Sequence, residues 1–367
     1  MIQSGHLKTY DLTLETVGPV HIGTGEKAAK SNYLYDKTHQ IISMLNSDKL
    51  IEAVIAHDKV DEYEQGIVQS QFDDPDGLYK FLVHTCGLKG REIQELVLYN
   101  CDAGAALDEN HNLKNITQFI RREDGKAYIP GSSLKGALRT VILFHLMKEK
   151  YLLGTGDPSD EDDFEKSLVN TLHLKTNHFG NVLTKDAVNS VMRGLSVSDS
   201  EAIPNRQMTL CNKIDIHAGK QAEESKPNVC RECVKPGTEI HFALTMDQSI
   251  LKHTDIRAEA FYSYLDDFMN YYHEQYESHF QLPDGGVYGS HLLFLGGGSG
   301  FFSKTLTYPY YGDEALNIVI RAMRKSKTAR KHHHENDEGL GISPRTMKYT
   351  EWGGRRYPFG LCKVTIE

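Results

Sequence analysis

The stretch of sequence richest in chemistry is Tyr128-Ile129-Pro130-Gly131-Ser132-Ser133-Leu134-Lys135-Gly136-Ala137-Leu138-Arg139. Pro-Gly turns the chain. Leu134, Ala137, Leu138, Val141, Ile142 and Leu146 then recur at helical spacing, with Ser132 placed to cap the helix. The free amides of a first turn make a site for an anion, and Ser132 and Ser133 stand beside them. Lys135 and Arg139, four apart, share one face near the helix start, where the dipole disfavours cations. An anionic ligand would restore the balance, but an ordinary capped helix with two solvated cations fits the same residues, and the two readings stand level. Ser132-x-x-Lys135 also has the spacing of Ser–Lys acyl enzymes. Neither Lys-Thr-Gly nor Ser-Asp-Asn accompanies it, and the absence of Gly-Lys-Ser/Thr excludes a Walker loop.

Two glycine-rich turns offer similar chemistry. The first is His21-Ile22-Gly23-Thr24-Gly25-Glu26-Lys27, the second Gly296-Gly297-Gly298-Ser299-Gly300-Phe301-Phe302-Ser303-Lys304. Exposed amides in such turns cradle phosphates, and Phe301 or Phe302 offers an aromatic face for a base. A strand-ending turn with core phenylalanines is the alternative. His21 has the chemistry of a general acid or base, although a single histidine beside a turn is more often structural.

A third group is Cys230-Arg231-Glu232-Cys233. A closed zinc site needs two further ligands. Cys211, His217 and His241 are candidates, but no second pair has ligand spacing, and His332-His333-His334 lies in a charged stretch. No metal and no cofactor is expected. Finally, Arg321, Arg324, Lys325, Lys327, Arg330 and Lys331 follow one another without an intervening acid. On a helix Arg321, Arg324 and Lys325 share a face. Complementing the C-terminal dipole explains the last of them, but not those that begin at mid-helix, so contact with a polyanion is expected.

The elements that must position these residues are of mixed type. Lys8 to Val17 alternates as a half-buried strand, Tyr33–Tyr35 and Ile41–Met44 read as a hairpin, and Ser47 or Asp48 caps a following helix. Residues 58–113 look like a polar helical insertion. Glu123-Asp124-Gly125-Lys126 is a hairpin turn. In the second half Gln207–Ile216 and Ile240–Met246 read as strands, Phe261–Tyr272 as an aromatic helix, His291–Leu295 as a strand, Asp313–Lys331 as a basic-ended helix and Leu361–Ile366 as a last strand. The absence of strict βα alternation favours α+β. With 367 residues, two similar domains are expected, 1–204 and 205–367.

Composition narrows the functional classes. The chain is 39% hydrophobic and 25% charged, enough for a sizeable core and too apolar for global disorder. Its longest apolar runs fall far short of the roughly 20 residues of a membrane span. No signal peptide is visible, and six scattered cysteines do not make a secreted disulfide framework, so a cytoplasmic protein without a membrane partner is expected. The net charge is −9, but the stretch from Arg321 onward carries 11 basic and 5 acidic residues. A polyanion meets the local patch rather than the total, so acidity does not exclude RNA. Part of the acidic excess sits in Asp157–Glu165.

Three of these strings together resemble the RAMP superfamily of CRISPR-associated proteins. They are Pro19-Val20-His21-Ile22-Gly23-Thr24-Gly25, Ile129-Pro130-Gly131-Ser132-Ser133-Leu134-Lys135-Gly136 and Gly296-Gly297-Gly298-Ser299-Gly300-Phe301. Arg231-Glu232-Cys233 leading into Pro236-Gly237-Thr238-Glu239-Ile240 adds to the resemblance, which is greatest to the family of fifth subunits of type III-A (Csm) effector complexes. The resemblance implies two ferredoxin-like, RRM-related domains with helical insertions. It implies a non-catalytic subunit that binds CRISPR guide RNA, caps it near its 3′ end, contributes to guide maturation and antiviral defence, and packs against the repeated backbone subunit. Recruitment of host nucleases is a further implication. RNA contacts then fall on His21, Gly23, Thr24, Gly25, Lys27, Ser132, Ser133, Lys135, Arg139, Gly297, Gly298, Ser299, Gly300, Phe301, Lys304, Arg321 and Arg324. In that family the position of Cys230 is not reserved for cysteine. The backbone subunits cut RNA with an aspartate in the loop after the first strand. Here that loop reads Gly25-Glu26-Lys27-Ala28-Ala29-Lys30-Ser31-Asn32, so catalysis is not carried over. The alternative is a metal-independent endoribonuclease of the same superfamily with His21 as acid or base.

Overall fold

In the computed structural model the strand Leu7–Thr16 lies at the centre of a five-stranded sheet. Its alternation puts Leu12 and Leu14 in the core, both fully buried. Its neighbours are Glu239–Asp247 on one side and Leu361–Ile366 on the other, and the edges are Leu195–Val197 and Leu292–Phe294. Every pairing in this sheet is antiparallel. The helices Gly131–Glu149 and Phe261–Gln275 pack on each other and against the edge strands, with Phe144 edge-on to Phe268. The structure describes residues 5–157, 164–219, 223–252, 254–283, 286, 289–327 and 329–367, so most of the acidic run 157–165 lies outside the described residues.

A second sheet has seven strands, in the order Gly23–Ala28, Ile116–Phe119, Cys230–Val234, Met208–Asn212, Val97–Asp102, Ile41–Leu45 and Tyr33–Asp36. A third has four, Glu224–Ser225, Ile214–His217, Thr346–Trp352 and Arg355–Pro358. The fold is therefore α+β, with sheets built from strands distant in sequence.

Local differences from the sequence expectations have physical causes. Gln207–Ile216 is not one strand. It breaks at Lys213 and passes from the seven-stranded to the four-stranded sheet. The segment 58–113 is helical through Leu96, with helices Val60–Val68 and Gly90–Leu96 around a small core of Tyr63, Phe72 and Phe81. Val97–Asp102 then turns to strand, burying Tyr99 and Cys101 by alternation. Asn46, not Ser47 or Asp48, caps the helix Ser47–Ala56, its side chain accepting from the Lys49 amide. The expected basic helix is shorter, Ala315–Lys325 with 3-10 turns at Gly312–Glu314 and Ala329–His332.

Candidate nucleic-acid interface

The turn after the first strand is fixed by close backbone approach. A Cβ on Gly18 would lie 2.0 Å from the Pro358 carbonyl oxygen. The chain then enters Val20, which bridges to Val234, and reaches His21. The ring of His21 is almost wholly buried, and Nδ1 donates to the Glu232 carbonyl at 2.7 Å. Burial, opposed by that hydrogen bond and aided by the nearby Arg231, lowers its pKa to about 4. His21 is thus neutral at pH 7 with its tautomer set by Glu232, which suits holding two segments together better than delivering a proton.

The second glycine loop closes on this histidine. The Gly297 amide donates to the His21 carbonyl at 2.7 Å. Gly296 has φ +82°, and a Cβ there would sit 2.3 Å from the same oxygen, so only glycine suits it. Gly23 also lies against the ring, where a Cβ would lie 2.7 Å from Nε2. The two loops, 275 positions apart in sequence at their nearest pair, are therefore one junction. Gly23, Thr24, Gly25 and Lys27 are exposed on a bulged edge strand, and among the described residues no carboxylate pairs with Lys27. Ser299 is buried and bonds to the Gly296 carbonyl and Ser303, so its role is inside the loop. Gly297, Gly298 and Gly300 line the loop beside it, and Lys304 reaches back to the Gly296 carbonyl, its pKa lowered by burial. Phe301 is half-buried, whereas Phe302 is core, stacked on Tyr276.

Arg231 is the residue that sequence reasoning did not place here. Its guanidinium lies 5.6 Å from the Phe359 ring centre, and its buried Nη1 has no hydrogen-bond partner. A Cβ on Gly298 would stand 3.5 Å from that nitrogen. An unpartnered guanidinium nitrogen at the glycine loop is chemically suited to a phosphate oxygen. Its signal was hidden in Cys-Arg-Glu-Cys, which draws attention to the thiols. Those thiols diverge, as residues three apart on a strand must. Cys230 meets the Ala105 carbonyl, and Cys233 packs on Cys211 and Phe359. Among the described residues no three metal-ligating side chains cluster. Glu232, between them, is buried and holds Arg121, the Phe119 amide at 3.0 Å and the Tyr99 hydroxyl at 3.2 Å.

The Gly131–Glu149 helix starts elsewhere. Gly131 packs under the carbonyls of Val197 and Ser198, at the sheet edge opposite to the strand that feeds the second loop. The expected Ser132 cap does not form. Pro130 is the cap residue, no side chain caps the turn, and Ser132 is exposed while Asp199 takes the Gly131 amide at 2.8 Å. With the helix beginning two residues earlier, Ser132 falls inside its first turn. Ser133 is half-buried. Lys135 is half-buried with no carboxylate beside it among the described residues, and burial alone lowers its pKa. Arg139 differs. It pairs with Glu165, so its charge is already met. Arg321 and Arg324 are exposed, and among the described residues neither forms an ion pair; their helix packs against the turn His334–Leu340. Lys325, Lys327 and Lys331 are exposed near them, and the side chain of Arg330 lies outside the described residues.

The site is thus a glycine-loop junction carrying an unpartnered guanidinium nitrogen, on α+β sheets packed by paired helices. The chain belongs to the RAMP superfamily, whose family model matches residues 13–303. It is similar over nearly its whole length to the CRISPR system Cms protein Csm5 of Mycobacterium tuberculosis (strain H37Rv), 24% identical over 98% of each chain. The Csm5 of Streptococcus thermophilus is 26% identical over 88% of this chain and 85% of its own length. Two solved structures share the fold. A chain in the cryo-EM structure of a Csm–crRNA–target RNA ternary complex of a type III-A CRISPR–Cas system superposes with TM-score 0.62 at 18% identity, covering 98% of this chain and all of that one. The crystal structure of T. onnurineus Csm5 gives 0.56 at 18% identity over 96% and 99%. Among the described residues no helix is long and apolar enough to cross a membrane.

Proposed function

We propose that this chain is an RNA-binding subunit of a type III-A CRISPR effector complex and that it caps the guide RNA near its 3′ end. The observation that carries the reading is the junction of the two glycine loops at His21 with the unpartnered Arg231 beside it. Near-full-length similarity to Csm5 proteins supports the assembly in which it would act. RNA phosphates would lie on the amides of the two loops and on Lys27 and Arg231, with Lys135 as a separate contact. Arg321 and Arg324 would meet the RNA or a neighbouring subunit that carries it, the backbone RAMP subunit being the expected neighbour. Two RAMP units, 1–204 and 205–367, would share strands across their sheets. Recruitment of host nucleases to trim the guide, in the cytoplasm, completes the proposal.

His21 is a poor candidate for the nuclease alternative, since Nδ1 is spent on Glu232 and its pKa lies far below 7. The test of function is assembly of the complex with wild-type chain or with Arg231→Gln. Loss of guide RNA or altered 3′ ends is expected for the variant, with the chain still folded. Cleavage of repeat RNA in EDTA by the purified wild-type chain, abolished by His21→Ala, would replace this reading with the enzymatic one.

A further inference from the structure

Beyond the glycine loops a second feature is built from a two-stranded ladder. Asp215 and His217 alternate on one strand, with Lys213 at the corner just before it, and Lys348 and Thr346 lie directly opposite Asp215 and His217 on the next. Side chains two apart share a face. The intervening Ile214, Ile216, Met347 and Tyr349 are buried on the other face, so the ladder collects five polar residues on one side. An ordinary two-faced sheet would expose that side to solvent. Here it is roofed instead. Phe301, Arg345, His332 and His334 close over it to leave a cleft of about 340 Å³, within the small-ligand range of about 300–1,000 Å³. The side chains of Lys213, Asp215 and Lys348 are only 20%, 11% and 19% exposed.

The charges in this cleft do not balance. Lys213 and Lys348 both contact Asp215 at 2.8 Å, two ammoniums on one carboxylate. Burial alone would raise the Asp215 pKa, but Lys348 and Lys213 hold it below the usual carboxylate value. Burial pulls the Lys348 pKa down against the attraction of Asp215. Arg345 adds a third cation, and its carboxylate, Asp337, lies fully buried and is shared with His334 and Ser343. Enclosed positive charge in excess is costly unless an anion completes it.

The cleft is also continuous with the proposed RNA surface. A Cβ on Gly300 would lie 3.5 Å from Lys348 Cγ, and the Lys348 carbonyl accepts from the amide of Phe359, the ring beneath Arg231. Phe301 follows the loop directly into the cleft wall. We infer that this cleft takes one phosphorylated nucleotide, its phosphate on Lys213 and Lys348 and its base against Phe301. The inference rests on the RNA-binding reading of the glycine loops. The nucleotide is either the phosphate-bearing end of the RNA that crosses them or a free mononucleotide.

The experiment uses the purified full chain and three probes: a short single-stranded RNA with a 3′-phosphate, the same RNA with a 3′-hydroxyl, and uridine monophosphate. Lys213→Gln leaves Asp215 paired with Lys348, so folding is retained, and a thermal melt checks this. Loss of about tenfold for phosphate-ended RNA with little change for hydroxyl-ended RNA supports the cleft and assigns it to an RNA end. The same loss confined to uridine monophosphate supports the cleft and assigns it to a free nucleotide. Asp215→Asn removes the competing carboxylate and should tighten the same probe. If neither variant alters any probe while Arg231→Gln weakens RNA binding, the cleft assignment is overturned and the RNA-binding reading stands. If wild-type chain binds no RNA, that reading falls, and the cleft stands only if uridine monophosphate binds and Lys213→Gln abolishes it.

Discussion

Lys135 and Arg139 look equivalent in sequence, yet the structure separates them, and the separation is measurable. Lys135 has no carboxylate beside it among the described residues, whereas Arg139 is held by Glu165. A cation that contacts a phosphate of single-stranded RNA contributes about 0.7 to the slope of log affinity against log salt. Over the fourfold range from about 50 to 200 mM salt, that contact accounts for about 2.6-fold of the loss in affinity. Lys135→Ala should therefore lower the slope by about 0.7, weaken binding uniformly across sequences, and differ most from wild type at low salt. Arg139→Ala should change the slope far less, because its charge is already neutralised. Glu165→Gln should release Arg139 and steepen the slope. Fluorescence anisotropy of a labelled single-stranded RNA, repeated across the salt series with each variant, measures all three. Equal slopes for wild type and folded Lys135→Ala would refute the reasoning and leave Lys135 as a surface cation.

Two other outcomes follow from the glycine junction. Gly296→Ala would combine a left-handed φ with a Cβ 2.3 Å from the His21 carbonyl oxygen, so it should cost about 2 kcal/mol or more and separate the two loops. A drop in melting temperature together with weaker RNA binding is expected, and an unchanged melt would show that the junction yields easily. His21 has a folded-state pKa of about 4 against an ordinary value of 6.5, so protonation favours the unfolded chain. Its contribution is complete above pH 6.5 and is lost as pH falls towards 4, by about 3 kcal/mol. Denaturant midpoints should fall less steeply over that interval in His21→Gln than in wild type, and parallel curves would contradict the assigned burial.

What could be seen in the sequence was what repeats locally. The alternation of Lys8 to Val17, the apolar spacing after Leu134 and the Asp-Gly turn at 124–125 each specify their element without help from distant residues. The glycine loops and the Pro-Gly-Ser-Ser-Leu-Lys-Gly string were visible as motifs. Their meeting at His21 was not, because it depends on a single amide-to-carbonyl bond between segments far apart in the chain. The corner at Lys213 escaped for a related reason: the apolar alternation runs on through it, and only the change of partner strands reveals the break. Arg139 could not be told from Lys135, since the distinguishing carboxylate, Glu165, lies on another helix. Arg231 stands between two cysteines, where it reads as the spacer of a thiol pair.

The central strand of the five-stranded sheet has a consequence for how the chain is made. Thr9 meets Thr245, a separation of 236 residues, and the partner on its other side is the strand Leu361–Ile366. At about 5–20 residues per second, the ribosome needs roughly 12 to 47 seconds to deliver the first partner after the strand has emerged. During that interval Leu12 and Leu14 have no sheet to enter, and both edges of the strand offer open amides and carbonyls. The segment best able to shelter itself meanwhile is the insertion, whose Tyr63, Phe72 and Phe81 cluster assembles from neighbours in sequence. Nascent chains that end before Glu239, where the first partner strand begins, therefore carry a structured lobe and an orphan strand, and that strand is the region on which a chaperone would have to act.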